Sequence, residues 1–476
     1  MLRSLLGCLL LSALVLGCYK YEERVWQTPN RPAAPGGPTA PPNPNAPPEG
    51  QPAAPVNRLF LDNVRVRVGI DLTLGGAITF LSEGSNGPNI VNNRDFGRQI
   101  QTGLYGGPIP YTRGTKRPIP QLEPLGWNPV QAGDYYFNAS RVLEYRQLDS
   151  ARLYVRTAPL FWPLRDEPAD CVMEHWLEVR ENTVRVRSRT TINRADTTQY
   201  EARGQESPAV YVNGPYTKVV SYTGDQPFTN GALREWNFED QIEAIYGSEN
   251  WVAIVNRQGR GVGLWQPRQY DFYGAFFGKP GAGGEFDNPT GYITGTITET
   301  LDHNAIFEYE YVIVVGTVED VRRFAYQQTR PTFLPNYRFT DSRQRWYYRG
   351  TRDQGIPVRN ELNVRLGRTD LRVASPTQFW RAQDVPKLYV RGAFRTSAQR
   401  FRLSWRLPSE MAFIPKADRY IDFPITGDGQ VRTYEINLAG VPGWQGVIAQ
   451  LSLEPVPGQP TATGDWLRLQ AVTAEP

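Results

Sequence analysis

Cys171-Val172-Met173-Glu174-His175-Trp176-Leu177-Glu178-Val179-Arg180, followed by Glu181-Asn182 and then Thr183-Val184-Arg185-Val186-Arg187-Ser188-Arg189-Thr190-Thr191-Ile192, is the stretch that decides the fold. Side chains of an extended strand alternate between its two faces, so Cys171, Met173, His175, Leu177 and Val179 share one side while Glu174, Trp176 and Glu178 share the other. Glu181-Asn182 reads as a turn. Beyond it, Val184, Val186, Ser188, Thr190 and Ile192 alternate against Arg185, Arg187 and Arg189. A period of two on both sides of a turn predicts an antiparallel hairpin with one face buried. On that parity His175 reads as a core histidine and Cys171 as a small buried apolar residue. Glu174 and Glu178 read as cross-strand partners of Arg185, Arg187 or Arg189.

The same period recurs along the chain. Val64, Val66, Val68, Ile70 and Leu72 alternate with polar residues before Gly75-Gly76 and the apolar run Ala77–Leu81. Ile306 through Val315 reads as a long strand, and Phe401, Leu403, Trp405 and Leu407 alternate with Arg400, Arg402, Ser404 and Arg406. Helical spacing is scarce, its best example being Val318 to Gln328, with Asp320 placed early. The expected fold class is therefore all-β, built from antiparallel sheets. Residues 331–372 are rich in Arg, Tyr and Pro and weakly periodic, which predicts a bridging segment between one unit at 58–330 and another at 373–476.

A chain of 476 residues with 40% hydrophobic and 12% aromatic residues has material for two sizeable cores. Its 52 basic and 48 acidic residues leave a net charge of +4, and no basic run is dense enough to expect a nucleic-acid partner. Arg113, Lys116 and Arg117 form a modest basic loop that reads either as solvated or as a contact for an acidic sugar. Cys8, Cys18 and Cys171 are the only cysteines, so Cys171 stands alone beyond the N-terminal region and no disulfide is expected within the fold. With two histidines in the chain a His/Cys zinc site is not expected. No cofactor is expected, and an oxygen-ligated calcium site stays open. Phosphate-loop, dinucleotide and nucleophile-elbow motifs are lacking.

The N-terminus carries its own message. Arg3 precedes the apolar stretch Leu5–Leu16, which ends in Leu14-Val15-Leu16-Gly17-Cys18. This resembles the lipobox of bacterial lipoproteins, with residues 1–18 as the signal and Cys18 as the lipidated residue. Tyr19, where an Asp would favour inner-membrane retention, implies the outer membrane of a bacterial cell envelope. From 19 to 57 a linker follows, in which proline fills about a third of positions 28–57. Such a composition favours extended polyproline structure, enough to hold a domain up to about 90 Å from the lipid surface.

Three further stretches carry a resemblance. Gly76-Ala77-Ile78, Pro88-Asn89-Ile90-Val91-Asn92 and Asp95-Phe96-Gly97-Arg98-Gln99-Ile100-Gln101 lead into Leu104-Tyr105-Gly106-Gly107. Trp127–Tyr135, Gly204–Tyr211 and Leu301-Asp302 follow. Together they resemble exported proteins of the galactose-mutarotase-like β-supersandwich superfamily over roughly residues 58–330. Gly427-Asp428-Gly429-Gln430, Thr433-Tyr434, Trp444–Ile448 and Leu451–Pro455 look like the closing strands of a jelly roll, a module often appended to carbohydrate-active proteins. Tyr434 and Trp444 are expected to fill that sandwich.

The first resemblance implies a carbohydrate ligand or substrate, in a superfamily that holds epimerases, glycoside hydrolases, lyases and non-catalytic members. A glycoside hydrolase needs two carboxyls, and Glu206 and Asp134 are the candidates. Glu206 reads either as projected into a cleft from a strand-end loop or as a solvated partner of Arg203. Asp134 reads either as a catalytic group or as a turn Asp. Asp95 and Arg98 are substrate clamps or a local ion pair. Gln99, Gln101 and Asn128 complete the polar set. Tyr105, Trp127, Tyr135, Trp251 and Trp265 are candidate sugar platforms, of which one or two would face ligand. A polysaccharide lyase would instead use Tyr105 with Arg98. A surface glycan-binding lipoprotein without catalysis is the alternative from a different class.

Overall fold

The computed structural model describes residues 47–238, 241–329, 334–367, 370–410 and 418–476. Cys18, the apolar stretch before it and the linker up to residue 46 lie outside the described residues. The end of that linker lies along the first unit: Gly50 N–H donates to Phe286 O and Arg94 donates to Pro48 O.

The opening hairpin forms as its alternation requires. Cys171–Arg180 and Thr183–Ile192 pair antiparallel, with Glu181 taking the left-handed turn conformation at φ 53°. Cys171, Met173, Leu177, Val179, Val184, Val186 and Ile192 all enter one core. His175 is buried with them, and its Nε2 lies 3.1 Å from Thr102 Oγ1. Burial lowers its pKa to about 4, so it is neutral at physiological pH. The outer-face charges choose different partners from those expected. Arg187 and Arg189 both turn to Glu308 on the next strand, and Glu174 accepts from Tyr154 Oη at 2.7 Å. The hairpin is internal to a wide sheet, so each charge has two neighbouring strands to select from.

That sheet has nine strands, in the order 234–237, 218–221, 251–255, 260–265, 306–317, 183–192, 171–180, 152–158 and 141–147. A second sheet has seven, in the order 242–246, 271–277, 290–299, 203–213, 101–103, 129–130 and 160–161. Their facing sides share a core that runs from Leu153 and Val186 on one sheet to Val210, Phe272 and Ile293 on the other. A three-stranded sheet at Arg58–Asp62, Val66–Asp71 and Ala77–Glu83 adds Val66, Val68 and Ile70 to it. Val64 leaves the alternation expected of it: it sits at φ 75° with 79% exposure, in the turn before that strand. The predicted helix is Val318–Gln327, capped by Thr317, whose side chain accepts from Asp320 N–H while the Asp320 carboxylate accepts from Thr317 N–H.

A second core belongs to two five-stranded antiparallel sheets, with Trp346, Phe394, Phe401, Trp405, Trp444 and Leu467 inside it. The segment read as a bridge also helps to build this unit. Asn336–Arg338, Tyr347–Arg349 and Leu362–Arg365 are strands of its sheets, and Tyr337, Phe339, Trp346 and Leu362 are buried in its core. These strands are three or four residues long, too short for a period of two to stand out. The chain is thus an antiparallel β-supersandwich followed by a β-sandwich.

Polar contacts join the two units. Arg343 bridges Asp302 at 2.5 Å and Asp353 at 2.7 Å, and Gln199 donates to both carboxylates. Tyr246 Oη donates to Gln378 O at 2.7 Å, and Thr377 Oγ1 to Asp271 Oδ2 at 2.6 Å.

Candidate active site

The strand Arg203–Asn213 sorts its residues by parity: Val210 and Val212 enter the core between the sheets, while Ala209 and Tyr211 pack on the outer face of the seven-stranded sheet. Its pairing with both neighbours shifts between Glu206 and Ala209, around Ser207-Pro208. Proline has no N–H for the ladder, so the strand bulges there. Glu206 therefore sits within a strand, on the outer face, and not in the loop expected of it.

Its carboxylate is held from two sides. Tyr105 Oη donates to Oε2 at 2.9 Å and Tyr292 Oη to Oε1 at 2.5 Å. Tyr292 in turn packs on Tyr211, with ring centroids 4.6 Å apart, and on Phe277 at 6.3 Å. Gly103 lies opposite Glu206, and a Cβ there would approach Oε2 to 2.9 Å, so the missing side chain makes room for the carboxyl. Burial pushes the Glu206 pKa upward, against the two hydroxyl hydrogen bonds that pull it down. Tyr105 and Tyr292 are raised well above the usual phenol value by burial and by the adjacent Glu206, which keeps them as donors. Glu206 retains partial exposure in this setting. A carboxylic acid that stays protonated to higher pH and faces outward can deliver a proton.

A second carboxyl shares this face. Asp271 has the parity of Tyr273, Ala275 and Phe277, the outer residues of its strand. Glu206 pairs with Thr296. Continuing the Phe272–Gly295 pairing by one residue places Asp271 across the same Thr296 from its other side. Two strand spacings separate them, about 9.5 Å between backbones. Asp271 meets the second unit, where Oδ2 accepts from Thr377, Arg406 lies 3.7 Å from Oδ1, and Oδ1 is buried without a hydrogen bond. The second β unit thus walls one end of the face.

The other expected residues are brought into service elsewhere. Asp134 is a turn holder: its Oδ1 accepts from Tyr136 and Asn138 N–H, and its Oδ2 from the Asn138 side chain and Asp166 N–H. With four N–H donors on a carboxylate that is 1% exposed, nothing is left for substrate. Asp95 and Arg98 form a buried local pair at 2.9 Å, and Arg98 also donates to Asn288 O and Oδ1. Gln99 and Gln101 staple the same loop through Asp95 O and Phe96 O, and Asn128 donates to Leu104 O. Trp127 is fully buried, with its indole donating to Asp170. Tyr135 packs between Tyr136 and Trp162, and Trp251 is buried against Glu249. Of the five aromatic candidates, Tyr105 reaches the site and Trp265 keeps partial exposure elsewhere. Arg203 lies over the Tyr105 ring at 5.4 Å and donates to Leu125 O, and burial lowers it to about 10. Arg113 and Lys116 pair with Glu167. Tyr292, Tyr211 and Asp271 were not singled out from sequence. Their alternation is visible in Asp271-Phe272-Tyr273-Gly274-Ala275-Phe276-Phe277, but strand adjacency is not.

Among the described residues no group of three or more His, Cys, Asp and Glu is placed to hold a metal, and no helix is long and apolar enough to cross a membrane.

The fold and this face define an all-β supersandwich with an acidic, tyrosine-lined outer sheet. Among solved structures, the chain is similar to a galactose mutarotase-like protein from Lactobacillus casei, at 10% identity over 54% of this chain and 100% of that one, with a TM-score of 0.35. It is also similar to a 4-alpha-glucanotransferase from Thermococcus litoralis, at 10% identity over 55% of this chain and 40% of that one (TM-score 0.29). An alpha-galactosidase from Geobacillus stearothermophilus is similar at 8% identity over 56% of this chain and 41% of that one (TM-score 0.33). No family model matches the sequence, and no curated protein does. At these scores the likeness carries no argument by itself, and the fold rests on the strands described above.

Proposed function

We propose that the protein is a lipid-anchored glycoside hydrolase of the bacterial envelope acting on a poly- or oligosaccharide. In this reading Glu206 is the general acid, Cys18 carries the lipid, and the C-terminal unit is a jelly-roll module of the carbohydrate-active kind. The observation that carries it is the Glu206 carboxyl, raised by burial, held by two tyrosine hydroxyls and set on an outer sheet face lined with aromatic rings. Asp271 replaces Asp134 as the second carboxyl. The strands of Glu206 and Asp271 lie two spacings apart, about 9.5 Å between backbones, and in this reading the carboxyl groups themselves stand at the roughly 6.5–9.5 Å of an inverting enzyme. Glu206 gives its proton to the leaving glycosidic oxygen as the C1–O bond breaks. Asp271 takes a proton from the water that attacks C1 from the opposite side.

One observation favours the second reading, glycan binding without cleavage: Asp271 is already engaged by Thr377 and Arg406. The lyase version has less support, because Arg98 is committed to Asp95 and Asn288 while Tyr105 donates to Glu206.

The test is incubation of the full chain, made soluble by Cys18→Ser, with a glycan panel followed by reducing ends and by absorbance of unsaturated uronides. New reducing ends of inverted configuration are expected. Retention on glycan columns with no product from any member of the panel would replace hydrolysis by binding. The anchor is tested separately, by incorporation of labelled palmitate into the unaltered chain and its loss in Cys18→Ser.

A further inference from the structure

We propose that the strand Arg141–Gln147 docks against the same strand of a second copy of this chain, joining two molecules edge to edge about a twofold axis. This strand ends the nine-stranded sheet: Arg152–Ala158 pairs with one side of it, and no strand among the described residues pairs with the other. Its exposure extends to apolar side chains, with Leu143 37% exposed, Tyr145 52% and Leu148, one residue beyond, 56%. These are three of the eight large apolar residues exposed among the described ones, gathered within six positions. A long free edge that carries apolar side chains is a template for another strand. The opposite edge of the same sheet is blunted: Arg234–Asn237 has only four residues, with Glu235 paired to Lys218 and Arg234 to Glu243.

The ladder fixes which backbone groups are free. Leu148 N–H donates to Arg152 O, so that pair is bonded toward the sheet. Antiparallel pairs alternate in this respect. Arg146, opposite Tyr154, is therefore bonded inward too, whereas Tyr145 and Gln147 turn their N–H and C=O groups to the open edge.

Charge then selects the register. With the axis on Tyr145, Glu144 faces Arg146 of the partner subunit and Arg146 faces the partner's Glu144. Shifting the axis by one residue sets Glu144 against itself or Arg146 against itself. Opposite charges across a ladder are favourable and like charges are not. Glu144 and Arg146 lie 3.1 Å apart within one copy, on the face they share with Tyr154 and Arg156. The axis brings two such pairs together so that each charge is flanked by two of opposite sign. On the other face the two Tyr145 rings lie side by side and leave water. The bulge between Val142 and Glu144 keeps the contact to a few residues, so the dimer is weak and reversible. Because the axis stands normal to the sheet, both Glu206 faces point the same way.

The experiment is sedimentation velocity of the full chain carrying Cys18→Ser, over a concentration series reaching the high micromolar range. A monomer–dimer equilibrium is expected. Arg146→Glu sets carboxylates against each other across the axis and should weaken dimerisation tenfold or more. Combining it with Glu144→Arg restores the alternation with its signs exchanged and should recover the parent's dimerisation. Tyr145→Pro removes an N–H that serves only the open edge, so it should abolish the dimer and leave the circular dichroism spectrum unchanged. The charge exchange decides the matter if Tyr145→Pro fails to fold. A parent that stays monomeric throughout, as when another segment of the chain or another protein takes this edge, would overturn the proposal. So would a dimer indifferent to Arg146→Glu, as one held through the apolar Leu5–Leu16 stretch would be, or a double variant no better than Arg146→Glu alone.

Discussion

Glu206 and Asp134 looked alike in sequence, each an acid beside aromatic or apolar residues, and the fold separates them by their hydrogen bonds. Asp134 accepts four N–H donors, whereas Glu206 accepts two hydroxyls and stays partly exposed. Such differences depend on the backbone path around each carboxyl, which local composition does not specify. If Glu206 is the general acid, Glu206→Gln should lower kcat by about 10²–10⁴ with an unchanged circular dichroism spectrum. Linkage gives a second check. A carboxyl whose folded pKa is raised contributes stability below its ordinary value near 4.5, and that contribution is lost as pH climbs through the raised value. Glu206→Gln should therefore lose less Tm between pH 4.5 and pH 8 than the parent does; parallel curves would show that burial does not act on this group. His175 has the opposite sign. With its folded pKa lowered to about 4 from 6.5, it withdraws stability as pH falls through that interval, so His175→Gln should flatten the Tm profile there.

At the scale of elements, the strands were the most legible part of the chain. Cys171–Arg180 and Thr183–Ile192 are ten residues each, long enough for five inward positions to repeat. Asn336–Arg338, Tyr347–Arg349 and Leu362–Arg365 are too short to do so, which is why their stretch read as a bridge. The bulge at Ser207-Pro208 was also hidden, because it depends on which strands flank it. Gly103 shows what this adjacency does: on the neighbouring strand, it leaves the space that the Glu206 carboxyl fills. Gly103→Ala should displace that carboxyl. The expected result is a loss of activity of tenfold or more with a Tm within a few degrees of the parent, since the Oε2 it meets ends a flexible side chain. Unchanged activity would mean that the position of Glu206 is not critical.

For the whole molecule, the two cores were foreseeable from the length and apolar content, but their joint was not. Arg343 lies among residues without clear periodicity, yet it carries the buried contacts to Asp302 and Asp353. Removing one partner from a buried charged set leaves the others uncompensated, at about 3–5 kcal/mol. Arg343→Met should accordingly lower the urea midpoint and make the units unfold in separate steps; a single transition at the parent midpoint would argue against a structural role for this joint. The lone thiol of the fold offers a way to watch such opening. Cys171 is 3% exposed at the start of an inner strand, and burial raises its pKa well above the usual thiol value. In a chain with Cys8 and Cys18 replaced, a thiol reagent has nothing to modify until the nine-stranded sheet parts. Cys171 is thus a built-in clock: the rate of its labelling counts how often the first core comes open.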